Sequence, residues 1–240
     1  MVLATGDFVI ASVLEARFLS DVDVQKFAAS GTWNKPTGAQ WVLIEIQAAG
    51  GPGGGAGITG ASQWSIGDGG GGGEYARVLV PAASLTASVT VTVGLGGVGV
   101  TTGAGLVGGT TSFGAYLTAI GGGSGSQRAA SGTLNFSSAS LQRIGGTGGA
   151  GSLTADLRVP GCAGGSGLAL GFAGATNVRG GDGGASFWGG ATPAPDGHQV
   201  GQAGKIYGGG GSGVGHSQSQ VAARASGSGA DGRVIITTWI

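Results

Sequence analysis

Charge is scarce in this sequence. Asp, Glu, Lys and Arg make up only 9% of it, against roughly 25% in an ordinary soluble protein. The 11 basic and 11 acidic residues cancel, which leaves no electrostatic footprint for nucleic acid or an anionic membrane surface. Cysteine is reduced to Cys162, so no intrachain disulfide can form. Lying among small residues, that thiol is expected to be a small packed side chain rather than a reactive group. No uninterrupted apolar run approaches the ~20 residues that a bilayer-spanning helix needs. The opening residues Met1–Asp7 carry none of the charged and apolar regions of a signal peptide. Proline is also rare, with 6 residues, and the only histidines are His198 and His216. Neither histidine has the spacing of a metal-binding motif.

What fills the space is glycine, 59 of 240 residues. Glycine loses more conformational freedom on folding than any other residue, and such a composition invites a disordered reading. Disordered chains, however, are charged, rich in proline and poor in aromatic and β-branched residues. This chain has 5 tryptophans set among β-branched runs, so it is expected to fold, with glycine as part of the fold.

Residues 1–30 hold few glycines and read as an attachment or neck segment, leaving 31–240 as the glycine-rich domain. Ser12-Val13-Leu14-Glu15 has capping-box spacing, and Leu14 and Phe18 lie one helical turn apart. A short helix is expected there, followed by an alternating strand from Val22. Further strands are predicted at Trp41–Ile46, Tyr75–Val80, Ser88–Val93 and Arg233–Trp239. The first and last of these four bracket the glycine-rich body and are placed to pair across its ends.

Within that body the repeat is three, not two or 3.6. Across residues 94–110 one phase is Leu95, Val98, Thr101, Ala104, Val107 and Thr110, with no glycine, while the other two phases are mostly glycine. In 179–190 the side-chain-bearing phase is Arg179, Asp182, Ala185 and Trp188. In 144–153 it is Ile144, Thr147, Ala150 and Leu153, in 50–58 it is Pro52, Gly55 and Ile58, and 160–171 follows more loosely. A polyproline-II-like helix has three residues per turn and no internal hydrogen bonds, so its backbone groups must find partners on neighbouring chains. Bare glycine edges permit that approach. The expected fold is therefore a mainly irregular and β protein: a polyglycine-II helix bundle with short flanking strands and almost no α-helix. As a single rod, Gly94–Gly109 would span about 50 Å. Collagen is excluded, because it requires a strict Gly-X-Y repeat with abundant proline.

The search for chemistry is brief. Gly94-Leu95-Gly96-Gly97-Val98-Gly99 matches a dinucleotide-binding pattern after a strand, but glycines continue where the following helix must start. Asp182, Asp196 and Asp231 sit in turn-type contexts next to glycine, and no nucleophile, base or metal set can be assembled. The expectation is a protein without enzymatic activity and without a cofactor. The interruptions between glycine runs instead mix aromatics with Arg, Gln, Ser and Asn, the adaptable set of binding loops. Candidate binding residues are Trp64, Arg128, Phe136, Arg143, Trp188, His198, Tyr207 and His216. For each taken singly, packing is the slightly stronger reading, since buried aromatics dominate cores; the set as a whole favours binding more than any member does.

Phe27–Pro36 followed by Trp41–Ile46 resembles the opening of glycine-rich domains in bacteriophage tail-fibre and receptor-binding proteins. Gly73–Arg77, Val89–Gly94, Gly108–Gly114 and the closing Gly229–Trp239 are similar pieces in the same order. The glycine runs also resemble those of the distal adhesins that cap long tail fibres, although residues 1–30 are too short for the fibre-attachment domain of those proteins. The resemblance implies a virion protein at the fibre tip, assembled in the host cytoplasm without a secretion signal. Its implied partners are a host surface receptor (polysaccharide or outer-membrane protein), other tail-fibre or tail-tip proteins, and two further copies in a homotrimer, with no nucleic acid and no membrane insertion. Two other readings stay open: a structural tail-tip spacer with no receptor, and an ice-binding protein using the row from Leu95 to Thr110.

Overall fold

A computed structural model describes residues 21–132, 146–151, 155–172 and 175–240. The helix expected around Ser12–Phe18 lies outside the described residues. Within them the chain is mainly β-strand, in open sheets with almost no helix; the one helical turn among the described residues is the 3₁₀ turn Ala82–Ser84.

The strands are β1 (Val22–Phe27), β2 (Gly31–Asn34), β3 (Trp41–Gln47), β4 (Trp64–Gly67), β5 (Tyr75–Pro81), β6 (Ser88–Thr92) and β7 (Thr111–Phe113). They continue with β8 (Leu117–Ala119), β9 (Gln127–Ser131), β10 (Leu157–Val159), β11 (Leu168–Phe172), β12 (Ala175–Arg179), β13 (Gly215–His216) and β14 (Arg233–Trp239). An antiparallel five-stranded sheet runs in the order β1-β14-β3-β5-β10, and a four-stranded one in the order β2-β6-β7-β8. Alternation sets their inner faces. Val42, Ile44 and Ile46 of β3 and Val234 and Ile236 of β14 are fully buried, in one cluster with Trp33, Val89, Val91, Phe113 and Leu117 from the smaller sheet. Trp41 and Trp239, on the opposite face, are exposed.

The strands at the two ends of the glycine-rich body pair along their whole length, from Trp41 opposite Trp239 to Gln47 opposite Arg233. β1, which composition groups with the neck segment, pairs with the other edge of β14, Val22 opposite Trp239 and Phe27 opposite Val234.

Beyond the two sheets the chain passes back and forth in extended glycine-rich segments. The segment Gly67–Glu74 is buried throughout, and its hydrogen bonds repeat every third residue. Gly67, Gly70 and Gly73 donate to Val214, Gly211 and Gly208 at 2.7, 2.9 and 2.8 Å. Asp68, Gly71 and Glu74 donate to Ser126, Gly123 and Ile120, and Gly69 and Gly72 donate to Gly165 and Cys162. Its carbonyls accept from Ala48, Gly51 and Gly54, from Gly146 and Gly149, and from Gly181 and Gly184. A β-strand bonds in two directions; this segment has neighbours on all sides. The reason it must be glycine is steric. A Cβ built on Gly71 would stand 2.1 Å from the Thr147 carbonyl oxygen, and one on Gly72 would stand 2.1 Å from that of Ala185.

Two expectations are corrected. The stretch 94–110 is not one 50 Å rod. Gly103 takes φ +74°, a left-handed conformation that turns the chain, and Gly109 then donates back to Leu95 at 2.8 Å. The side-chain-bearing phase still faces out on both arms, with Leu95 and Val98 each 73% exposed before the turn and Val107 63% exposed after it. Cys162 is not packed but exposed. Its backbone is held on both sides, donating to Ala185 and accepting from Gly72, while its side chain falls on an outward phase.

The register of these bonds gives every pass the same two ends. Ala48, Glu74, Ile120, Gly208 and Gly232 lie beside the large sheet, whereas Gly54, Gly67, Ser126, Gly165, Val214 and Arg224 lie at the far end.

Candidate binding face at the far end of the molecule

The connections at the far end are knit by short-range polar chemistry. β4 lies between β9 and β13 in a three-stranded sheet, and β11 and β12 form a hairpin beside it. Ser65 is fully buried. Its hydroxyl donates to the Arg128 carbonyl at 2.8 Å and accepts from the Gly57 N–H at 3.1 Å. Thr59 donates through its hydroxyl to the Ser217 carbonyl at 2.5 Å, and that same oxygen accepts from the Gln220 N–H at 3.0 Å. Ser219 sits at φ 60°, a left-handed conformation uncommon for a residue with a side chain. The loops around Thr59 and Gln220 are thus stitched to each other, and they carry the exposed side chains Ile58 and Val221, the latter 89% exposed.

The structure brings four of the sequence-derived candidates to this end. Trp64 is buried, 9% exposed, in a small core with Ile66 and Val178. Arg128 stands on β9 opposite Ile66. His216 is fully buried on β13, where its Nδ1 is 2.9 Å from the Gly57 carbonyl oxygen. His198 lies with its ring 5.6 Å from that of His216 and its Nε2 3.2 Å from the Ser217 hydroxyl. Burial pushes the His216 pKa below its usual value; the Gly57 hydrogen bond opposes this, while the nearby His198 and Arg224 add to it.

Trp188 and Tyr207 are placed at the opposite end. Trp188 packs edge-on against Tyr75, 5.4 Å between ring centres, and Tyr75 stacks on Phe187 at 4.2 Å. Arg233 covers the Tyr207 ring at 4.5 Å. Phe136 and Arg143 lie outside the described residues.

A cavity of about 470 Å³ opens beside the histidine pair, lined by Leu168, Asn177, Val178, Arg179, Asp196, Gly197, His198 and Ser217. Arg179 joins its walls. It pairs with Asp182 at 2.7 Å and lies 3.5 Å from Asp196, and its backbone bridges Asp196 across the gap. Of this set only His198 was a sequence candidate. In the sequence Arg179 belongs to a three-residue repeat and Asp196 to a turn context, and no local spacing links positions so far apart. Among the described residues no group of three or more His, Cys, Asp or Glu is placed to hold a metal ion.

A family model described as a glycine-rich domain covers residues 25–239. No curated protein matches the chain.

Proposed function

We propose, for a chain that belongs to this glycine-rich domain family, that it is a bacteriophage tail-fibre adhesin that attaches the virion to a host bacterium. The observation that carries the reading is the division of the molecule into two ends. The strand that receives the N-terminal segment, β1, is part of the large sheet, while the polar, loop-rich connections gather at the opposite end. An attachment end and a recognition end are what a fibre-tip protein needs. Loops on a rigid scaffold are where recognition usually resides.

The scaffold between them is proposed to be a polyglycine-II bundle. The support is the three-residue bonding repeat of Gly67–Glu74, with neighbours on every side and contacts that exclude a Cβ. Outer passes then need side chains only on the phase turned to solvent, as with Leu95 and Val98. On this reading the protein resides in the virion and works by binding, without a catalytic step.

The test is binding of fluorescently labelled protein to a panel of whole bacterial strains. Selective labelling of some strains is expected, lost in Ile58→Asp and Val221→Asp variants that keep their melting temperature. A control at the sheet end, Phe187→Asp, should retain it. Uniform absence of labelling across a broad panel would overturn the adhesin in favour of a structural tail-tip spacer.

A further inference from the structure

We infer that the far-end cavity beside His198 is a subsite for a neutral sugar residue of a surface polysaccharide, an inference that rests on the adhesin reading for its biological setting. Its volume of about 470 Å³ lies in the range of small-ligand sites, roughly 300–1,000 Å³. The lining chemistry is that of a polyol. Vicinal hydroxyls both donate and accept, and the walls offer the Arg179 guanidinium, the Asp196 carboxylate, the Asn177 amide, the Ser217 hydroxyl and the His198 imidazole. Leu168 and Val178 supply an apolar wall for the C–H face of a ring.

Both groups of the Arg179–Asp196 pair are open to a ligand, at 44% and 91% side-chain exposure. His198 adds its imidazole to the lining, set in place by the contact of its Nε2 with the Ser217 hydroxyl at 3.2 Å.

The same residues disfavour other ligands. One guanidinium is shared by two carboxylates, Asp182 and Asp196, so the local charge repels acidic sugars and phosphate. A peptide adding as a strand needs an open backbone edge, and at Arg179 that edge is already bridged by Asp196.

The experiment is an array of immobilised bacterial polysaccharides, O-antigens and capsules, probed with wild-type protein and with Asn177→Ala and Asp196→Ala variants, alongside the whole-strain panel. The expected result is array binding that falls at least tenfold in either variant at unchanged melting temperature. Binding to be competed by the free neutral polysaccharide is also expected. Strain labelling with no array binding, or array binding indifferent to both variants, overturns the sugar subsite while leaving the adhesin intact, and points to a protein receptor on other loops. Array binding lost in the variants with no strain labelled keeps the subsite and overturns the adhesin. Silence in both assays overturns both.

Discussion

A single methyl group decides what the glycines do. At Gly183 an added Cβ would stand 2.0 Å from the Gly210 carbonyl oxygen, inside any real contact distance, and the obstacle is backbone that is itself hydrogen-bonded to Gly184. Two residues on, Ala185 already carries a Cβ, on a phase that is only partly buried. The same substitution should therefore have opposite consequences at neighbouring positions. Gly183→Val is expected to cost more than the usual ~1–3 kcal/mol of overpacking, because two chain passes must separate and their hydrogen bonds lengthen. Ala185→Val should stay within about 1 kcal/mol, the range of a substitution without a buried clash. Thermal unfolding of the two variants against wild type checks this. Equal tolerance would show that the close backbone approach is not what holds the body together.

At the scale of elements, the alternating strands were legible in the sequence because one face of each is buried: Val42, Ile44 and Ile46 mark β3 without ambiguity. The glycine passes were legible only on the outside. Leu95 and Val98 betray a period of three because one phase still faces solvent and keeps its side chains. The most enclosed pass, Gly67–Glu74, shows no such contrast. Over Gly69–Gly73 all directions are occupied by neighbours, so glycine fills every phase there and the periodic signal vanishes where the packing is tightest. The cavity was hidden for another reason: Asn177 and Arg179 on one hairpin meet Asp196 and Ser217 only through the folded register. The two histidines were visible but their pairing was not. That pairing predicts a pH response. With His216 buried and its pKa held below the unfolded value near 6.5, the folded state prefers the neutral ring. The unfolded chain takes up the proton first as pH falls, so this contribution is full above about pH 6.5 and is lost progressively below it. Protection of the Gly57 and Gly215–Ser217 amides against hydrogen exchange, taken relative to the intrinsic rate at each pH, should fall between about pH 6.5 and pH 5, and a His216→Gln variant should remove that dependence. Protection that stays constant with pH in wild type would mean that the far end does not register this proton.

Taken as a whole, the molecule leaves an apolar face of its large sheet open among the described residues. β1, β14, β3 and β5 turn Val22, Val24, Trp239, Trp41 and Leu79 outward, all exposed, and their pairing sets them side by side: Val22 faces Trp239, Trp239 faces Trp41, and Leu43 faces Leu79. A contiguous apolar and aromatic sheet face of this kind marks an interaction surface rather than ordinary solvent-facing residues. On the adhesin reading proposed above, this sheet end is where the protein joins identical copies or the fibre beneath, and closed rotational symmetry is the usual way for identical copies to bury such a patch. The adhesin reading expects a homotrimer of three 22.7 kDa chains, read by light scattering on the size-separated protein. Replacing Trp41 and Leu79 together with glutamate should shift it to monomer while the Trp33 core, on the other face of the sandwich, keeps the fold's near-ultraviolet signature. The far-end cavity is remote from this face, so the monomeric variant should still bind, with the loss confined to the gain that several linked sites give over one. A wild-type protein that is monomeric at high concentration would assign the open face to another partner of the fibre instead.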